Sequence, residues 1–238
     1  MSEIKLLVLA GGFGTRLKRV VSDVPKPMAD VAGYPFLKYL IENWLQQGIR
    51  SYTFLLYHKA GLIEQFVLFD EMQQLLQGCE VNFVQELEPM GTGGAIAYAV
   101  KELNINESFL VVNADTWLGK GLDQLIDAVV PSLAVVSVPD TSRYGALELS
   151  DGKVEAFMEK SVFGGAGWIN AGMYHLHSEL FSQWDGRPFS LESVTFPLLV
   201  SELSLGYLKL DTDFIDIGVP EDYFRFCSWI ESNKEGKL

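Results

Sequence analysis

LAGGFGTRL, residues 9–17, sets glycines at 11, 12 and 14 and an arginine at 16 directly after an apolar run. Backbone N–H groups in such a turn can approach an anion closely, and glycine tolerates the positive φ that a phosphate cradle demands. Arg16 adds a forked cation suited to a polyphosphate. The spacing is neither G-x-G-x-x-G nor a G-K-[ST] loop, so a plain tight turn is compatible with it too. Lys26 stands between two prolines in VPKP. Proline fixes φ and restricts the residue before it, which mounts the lysine on a stiff extended segment, as a lysine aimed at a reacting phosphate would need. A solvated loop lysine is the plainer alternative. Two acids follow apolar runs: Asp115 after FLVVN and Asp216 in DFIDIG. Paired carboxylates with phosphate oxygens suit Mg2+, although acids at strand ends also cap turns.

The elements that must carry these residues are legible as patterns. Residues 4–10, 51–57, 80–85, 109–113 and 133–138 read as strands, and 36–47, 60–69, 92–103 and 122–130 as helices, with Thr92 capping the third. Gly48 ends the first helix. Strand–helix alternation predicts a mostly parallel sheet covered on both faces, with Asp115 and Asp216 at the carboxyl-end crevice. The rhythm then changes. GALELS and KVEAFME flank Asp151-Gly152, a hairpin signal; strands follow at 169–176, 207–211 and 213–218, with helices around 191–203 and from Pro220. A mixed sheet with an inserted hairpin layer is the expected architecture. The whole of 1–238 is expected to be one domain, nucleotide-fold-like over about 1–140 and substrate-binding over about 141–238.

Composition bounds the partners. With 238 residues, 48% hydrophobic and 21% charged, the chain suits one soluble domain. No apolar run spans a bilayer and MSEIK is no signal peptide, so no membrane partner is expected. Cys79 and Cys227 lie far apart in no metal-like spacing, and a reducing cytoplasm is the default. A net charge of −13 argues against nucleic acid. Any phosphate site must therefore collect cations locally, from Arg16, Lys26, Lys160 and a metal; salt screens distant surface acids beyond about 10 Å. His58, His175 and His177 have no ligand spacing and read as ordinary surface or half-buried residues. The aromatics of residues 36–44 and 223–229 read as core or as the contact of a homodimer.

GGFGTRL with a following PKP, then EPMGTGGA (88–95), VVNAD (111–115), RYGALEL (143–149), FMEK (157–160), NAGMY (170–174) and FIDIGVPEDY (214–223), occur in the order found in one family. The chain resembles the sugar-1-phosphate nucleotidyltransferases over nearly its whole length. Within them it looks most like the bacterial heptose 1-phosphate guanylyltransferases, which supply GDP-heptose for surface polysaccharides. The resemblance implies a Rossmann-like α/β fold and a Mg2+-dependent reaction in which a sugar 1-phosphate attacks the α-phosphorus of a nucleoside triphosphate. Arg16 would hold the leaving pyrophosphate and Lys26 the α-phosphate. Nucleotide contacts would run along Leu9, Ala10, Gly11, Gly12, Gly14 and Thr15, then Gly91 and Thr92.

Gln85 or Glu86 would meet the base edge. A carboxylate accepts from both the ring N–H and the amino group of guanine, which favours GTP if Glu86 reads; Gln85 would fit uracil or thymine as well. The sugar side would comprise Gly145, Glu159, Lys160, Asn170 and Gly172. Glu192, behind a Ser190 cap, is either a sugar contact or a first-turn acid. The family often has Gly-Asp where this chain has Ala114-Asp115, a small replacement expected to leave the metal site intact. No C-terminal helical repeat follows, so no appended acyltransferase activity is expected. A non-catalytic nucleotide-binding subunit would be free to lose these charged residues. A dehydrogenase would need a ribose-binding acid after a second strand, and Asp30 sits in the proline-flanked segment instead.

Overall fold

The computed structural model describes residues 4–235 except residues 15, 18, 19, 22 and 161–163. The buried run KLLVL becomes β1 (Lys5–Leu9), and the next fully buried run becomes β4 (Ser51–Leu56). With β5 (Glu80–Gln85) and β6 (Ser108–Asn113) they form a parallel group in the order β5-β4-β1-β6. Helices α1 (Phe36–Gln46), α2 (Ala60–Val67), α3 (Asp70–Leu75) and α4 (Gly91–Glu102) supply the crossovers. The strand order reverses at β1, so a crevice opens past the carboxyl ends of β1 and β6, where Leu9 and Asn113 are register partners.

Beyond β6 the sheet turns mixed. β11 (Gly167–His177) runs antiparallel between β6 and β8 (Ser132–Val138), and β12 (Gly206–Leu210) is parallel to β8. The Asp151-Gly152 hairpin forms as read, both residues at positive φ (45° and 78°), and joins β9 (Ala146–Ser150) to β10 (Lys153–Met158). This hairpin extends the same nine-stranded sheet, which curls until Leu147 of β9 meets Trp168 of β11. A separate two-stranded ribbon pairs β7 (Thr116–Leu118) with β13 (Phe214–Asp216). Short β2 (Asp30–Val31) and β3 (Tyr34–Pro35) form another.

Four expectations need correction. Thr92 does not cap α4: Met90 holds the cap position without a side-chain bond, and the Thr92 hydroxyl is engaged elsewhere. The helix expected over 122–130 stops early as α5 (Leu122–Ile126), ahead of Pro131, which cannot continue a helix. His175 is buried at 3% exposure, with Nδ1 against the Leu125 carbonyl at 2.9 Å. The helix expected at 191–203 is a π-turn at Leu191–Thr195 running into α6 (Phe196–Ser201). The aromatics of α1 and of α7 (Pro220–Glu235) meet in the core, Phe36 and Phe226 edge to face at 4.7 Å, while Phe224 stays exposed.

Candidate active site

A cavity of about 310 Å3 sits in the crevice at the ends of β1 and β6. Of the residues predicted from sequence it gathers Leu9, Ala10, Gly11 and Gly12 from the first glycine turn, Lys26, Glu86, Gly91 and Thr92, and Asp115. Phe13, Tyr57, Pro89 and Asn113 line it as well. Two backbone bonds register the walls: Ala10 N–H donates to Leu55 O and Ala114 N–H to Leu9 O, each at 3.0 Å.

Lys26 is where the expected chemistry converges. Its Nζ donates to Asp115 Oδ2 at 2.6 Å, and both side chains are largely shielded. The extended mount expected from the prolines is not formed: Lys26–Met28 make a single 3-10 turn after extended Pro25, closed by Met28 N–H donating to Pro25 O at 2.8 Å. Gly14, at φ 61°, makes the approach possible, because a Cβ there would lie 2.8 Å from Lys26 Cγ. Asp216 joins the pair through the β7–β13 ribbon, which sets Asp216 opposite Thr116, while Ile217 N–H donates to Asp115 O at 2.9 Å. Burial raises the Asp216 pKa, and the charge of Asp115 raises it further, against the Gly218 N–H at 2.7 Å and the cations Lys26 and Arg143. Two half-buried acids share few cations. Among the described residues no three His, Cys, Asp or Glu cluster as a metal cage. Two hard oxygen donors short of positive charge fit a divalent cation that takes its remaining ligands from phosphate and water.

Glu86 lies at 7% exposure and accepts the Met90 N–H through Oε2 at 2.7 Å. Burial raises its pKa. A Cβ on Gly11 would come within 3.0 Å of Glu86 Oε1, so glycine at 11 makes room for this oxygen beside the cavity. Gln85 is exposed at the end of β5 and outside the lining. Arg16 is exposed on the turn past Gly14 and also outside the lining, and Thr15 lies outside the described residues.

The second glycine loop works differently. Gly91, at φ 70°, and Gly93 press on Phe189, Gly94 presses on Met90, and the N–H groups of Gly93 and Gly94 donate to Phe189 O at 3.0 and 3.2 Å. Thr92 Oγ1 donates to Glu192 Oε2 at 2.7 Å and accepts from Leu191 N–H. Ser190 Oγ donates to the same carboxylate oxygen and also caps the π-turn by accepting Ser193 N–H at 3.2 Å. Glu192 is therefore tied to the second glycine loop through Thr92 and to its own cap through Ser190.

The other sugar-side residues fall on two elements. Asn170 Nδ2 donates to the buried Tyr174 hydroxyl at 3.1 Å, and Asn170 Oδ1 accepts Gly172 N–H at 2.9 Å, inside the irregularity of β11. Gly172, at φ 72°, lies against Asn113 of the cavity. Gly145, at φ 81°, packs on the Met158 carbonyl, while Glu159 and Lys160 are exposed just past β10. Sequence reasoning assigned no role to Arg143, which pairs with the nearly buried Asp222 and contributes to the field at Asp216. Its signal was the RYG stretch itself.

The description of the nucleotidyl transferase family matches residues 5–233. A D-glycero-alpha-D-manno-heptose 1-phosphate guanylyltransferase of Campylobacter jejuni is 34% identical, over 94% of this chain and 98% of its own length. A mannose-1-phosphate guanylyltransferase catalytic subunit beta of Danio rerio is 30% identical over 98% of this chain, which spans 66% of that protein. Among solved structures, HddC of Yersinia pseudotuberculosis superposes with a TM-score of 0.84 at 35% identity, covering 95% of this chain and 99% of that one. It has also been solved complexed with GMP-PN. With the glycine turn, Lys26 and the two acids on one crevice, this chain belongs to the nucleotidyl transferase family.

Proposed function

We propose that this protein is a sugar-1-phosphate guanylyltransferase, joining GTP and heptose 1-phosphate to GDP-heptose and pyrophosphate for surface polysaccharide synthesis. The observation that carries this reading is the meeting of Lys26, Asp115 and Asp216 beside a cavity that also holds the buried Glu86 carboxylate. A phosphate oxygen of the sugar 1-phosphate attacks the α-phosphorus of GTP; the bond from α-phosphorus to the bridging oxygen breaks, and pyrophosphate leaves with that oxygen. No covalent enzyme intermediate is needed, so catalysis rests on positioning and charge.

Lys26, whose stiff mount limits reorganisation, stabilises charge developing on the α-phosphate oxygens. The first glycine turn holds the phosphate chain, with Arg16 reaching the leaving pyrophosphate. Glu86 Oε1 accepts from guanine, while Oε2 stays with Met90. Asn170, Gly172, Glu159 and Lys160 receive the sugar phosphate. Mg2+ bound by Asp115 and Asp216 would neutralise phosphate charge and align the two substrates. A cytoplasmic location supplies the triphosphate; among the described residues no helix is long and apolar enough to cross a membrane.

Pyrophosphate release tests the reading, with GTP, ATP, CTP, UTP and dTTP each set against heptose 1-phosphate and mannose 1-phosphate in Mg2+. GTP with heptose 1-phosphate is expected to turn over fastest. Preference for UTP or dTTP would sink the role of Glu86, preference for mannose 1-phosphate would sink the sugar, and binding without turnover would mark a non-catalytic subunit.

A further inference from the structure

Phe13 is the only residue with a side chain between Gly11 and Gly14. A turn whose backbone approaches phosphate gains nothing from a phenyl ring, and apolar surface left in water is unfavourable. Phe13 nevertheless keeps 47% of its surface exposed while lining the cavity. The ring is held in place. It stands edge-on to Tyr57 at 5.7 Å between centroids and 77° between planes, and lies 5.2 Å from the His58 ring. Tyr57 lines the same cavity. Gly11 fixes its position relative to Glu86, because a Cβ on Gly11 would be 3.0 Å from Glu86 Oε1 and 3.2 Å from Tyr57 Cβ. The aromatic pair and the buried carboxylate thus flank one glycine.

Phe13, Tyr57 and Glu86 line one cavity, which offers a flat heterocycle both an aromatic surface and a carboxylate for its edge. We propose that Phe13, backed by Tyr57, stacks on the nucleobase and favours a purine through the larger ring area it covers. The proposal rests on the reading of this cavity as the nucleoside triphosphate site and adds a specificity-determining residue to it. Leu9, Pro89 and Ala95 give the remaining lining the apolar character a base requires.

Calorimetric titration of wild type, Phe13→Ala and Phe13→Tyr with GTP, UTP and inorganic tripolyphosphate, all with Mg2+, separates base from phosphate. Stacking is lost on truncation to alanine, so GTP affinity falls roughly tenfold, UTP affinity falls less, tripolyphosphate affinity stays within about twofold, and Phe13→Tyr binds as wild type. The absorbance of the bound base gives a second readout that phosphate does not enter: hypochromism is expected with wild type and Phe13→Tyr and absent with Phe13→Ala. Hypochromism that survives in Phe13→Ala, unchanged GTP affinity, or a parallel loss for tripolyphosphate overturns the proposal. Should wild type prefer UTP, the guanylyl reading fails on its own, and the loss on removing the ring from the preferred nucleotide still decides the stacking.

Discussion

The two glycine-rich turns that line the cavity look alike in sequence and answer to different partners. In the first, at 11–14, Gly12 has no atom within 4 Å of its missing Cβ, and Gly14 clears a path for Lys26. The space is open at Gly12 and taken by Lys26 at Gly14, which on the proposed reading serves the triphosphate and the cation that acts on it. In the second, at 91–94, the missing Cβ atoms of Gly91 and Gly93 point into Phe189 and that of Gly94 into Met90, and two of its N–H groups are spent on Phe189 O. That space belongs to the protein. Glycine spacing marks a close approach without saying whose atoms approach: Gly11 meets Glu86 and Tyr57, and of the first turn's glycines Gly12 alone faces open space, where the proposed reading puts the phosphates.

Substitutions in each turn can break this contrast. The largest effect is expected at the residue the first turn shelters. Lys26→Ala should lower kcat by roughly 10²–10³-fold, the loss typical when one donor to a developing oxyanion is removed. Its melting temperature should change far less, by a few degrees at most, because Lys26 and Asp115 keep 22% and 29% of their side chains in solvent, which screens the acid left without its partner. A comparable fall in kcat and in melting temperature would mean that Lys26 is structural.

The glycines themselves come next. Gly93→Ala drives a methyl group into the Phe189 ring and should cost about 1–3 kcal/mol of stability by overpacking, read as a drop of several degrees in calorimetry. Gly12→Ala should melt as wild type while KM for the triphosphate rises roughly tenfold, equivalent to about 1.4 kcal/mol. Equal melting temperatures for the two variants would erase the distinction drawn between the turns.

The smallest effect is a shift of preference and of pH response. Glu86→Gln keeps an acceptor for Met90 N–H but can no longer accept both guanine donors, so the preference for GTP over UTP should narrow by about tenfold. Burial holds the Glu86 carboxyl above its ordinary 4.5, so wild-type GTP affinity should fall as pH drops through that raised value, and the variant's should stay flat. The sign for stability is opposite. A raised carboxyl binds its proton more readily in the folded state, so its buried charge is unfavourable above the raised value, and the cost is relieved as pH falls toward the ordinary one. Without ligand, Glu86→Gln should therefore melt higher than wild type near neutral pH, with the gap closing in acid.

Much of the fold was legible because its signals are local. β5 matches its predicted bounds, α1 ends before a left-handed Gly48 as its pattern requires, and the Asp151-Gly152 turn takes the positive φ values its residue types allow. Misreadings arose where a local signal had a distant partner. Thr92 carries the chemistry of a cap, yet its hydroxyl reaches Glu192, 100 residues away. Gln85 and Glu86 are adjacent and both polar, and burial beside Gly11 separates them.

By itself the sequence determined which groups are available: a strand breaking into glycines, a lysine braced by prolines, acids ending apolar runs, and the order of these motifs along the chain. Periodicity, proline stiffness and glycine φ act over a few residues, so they can be read without coordinates. Only the tertiary structure decided which of those groups meet. The pairing of β7 with β13 brings Asp216 to Asp115, the curl of the sheet carries the hairpin back to β11, and the 188–192 segment takes up the second glycine turn. Such contacts depend on how whole layers pack, and no short window of sequence holds that information.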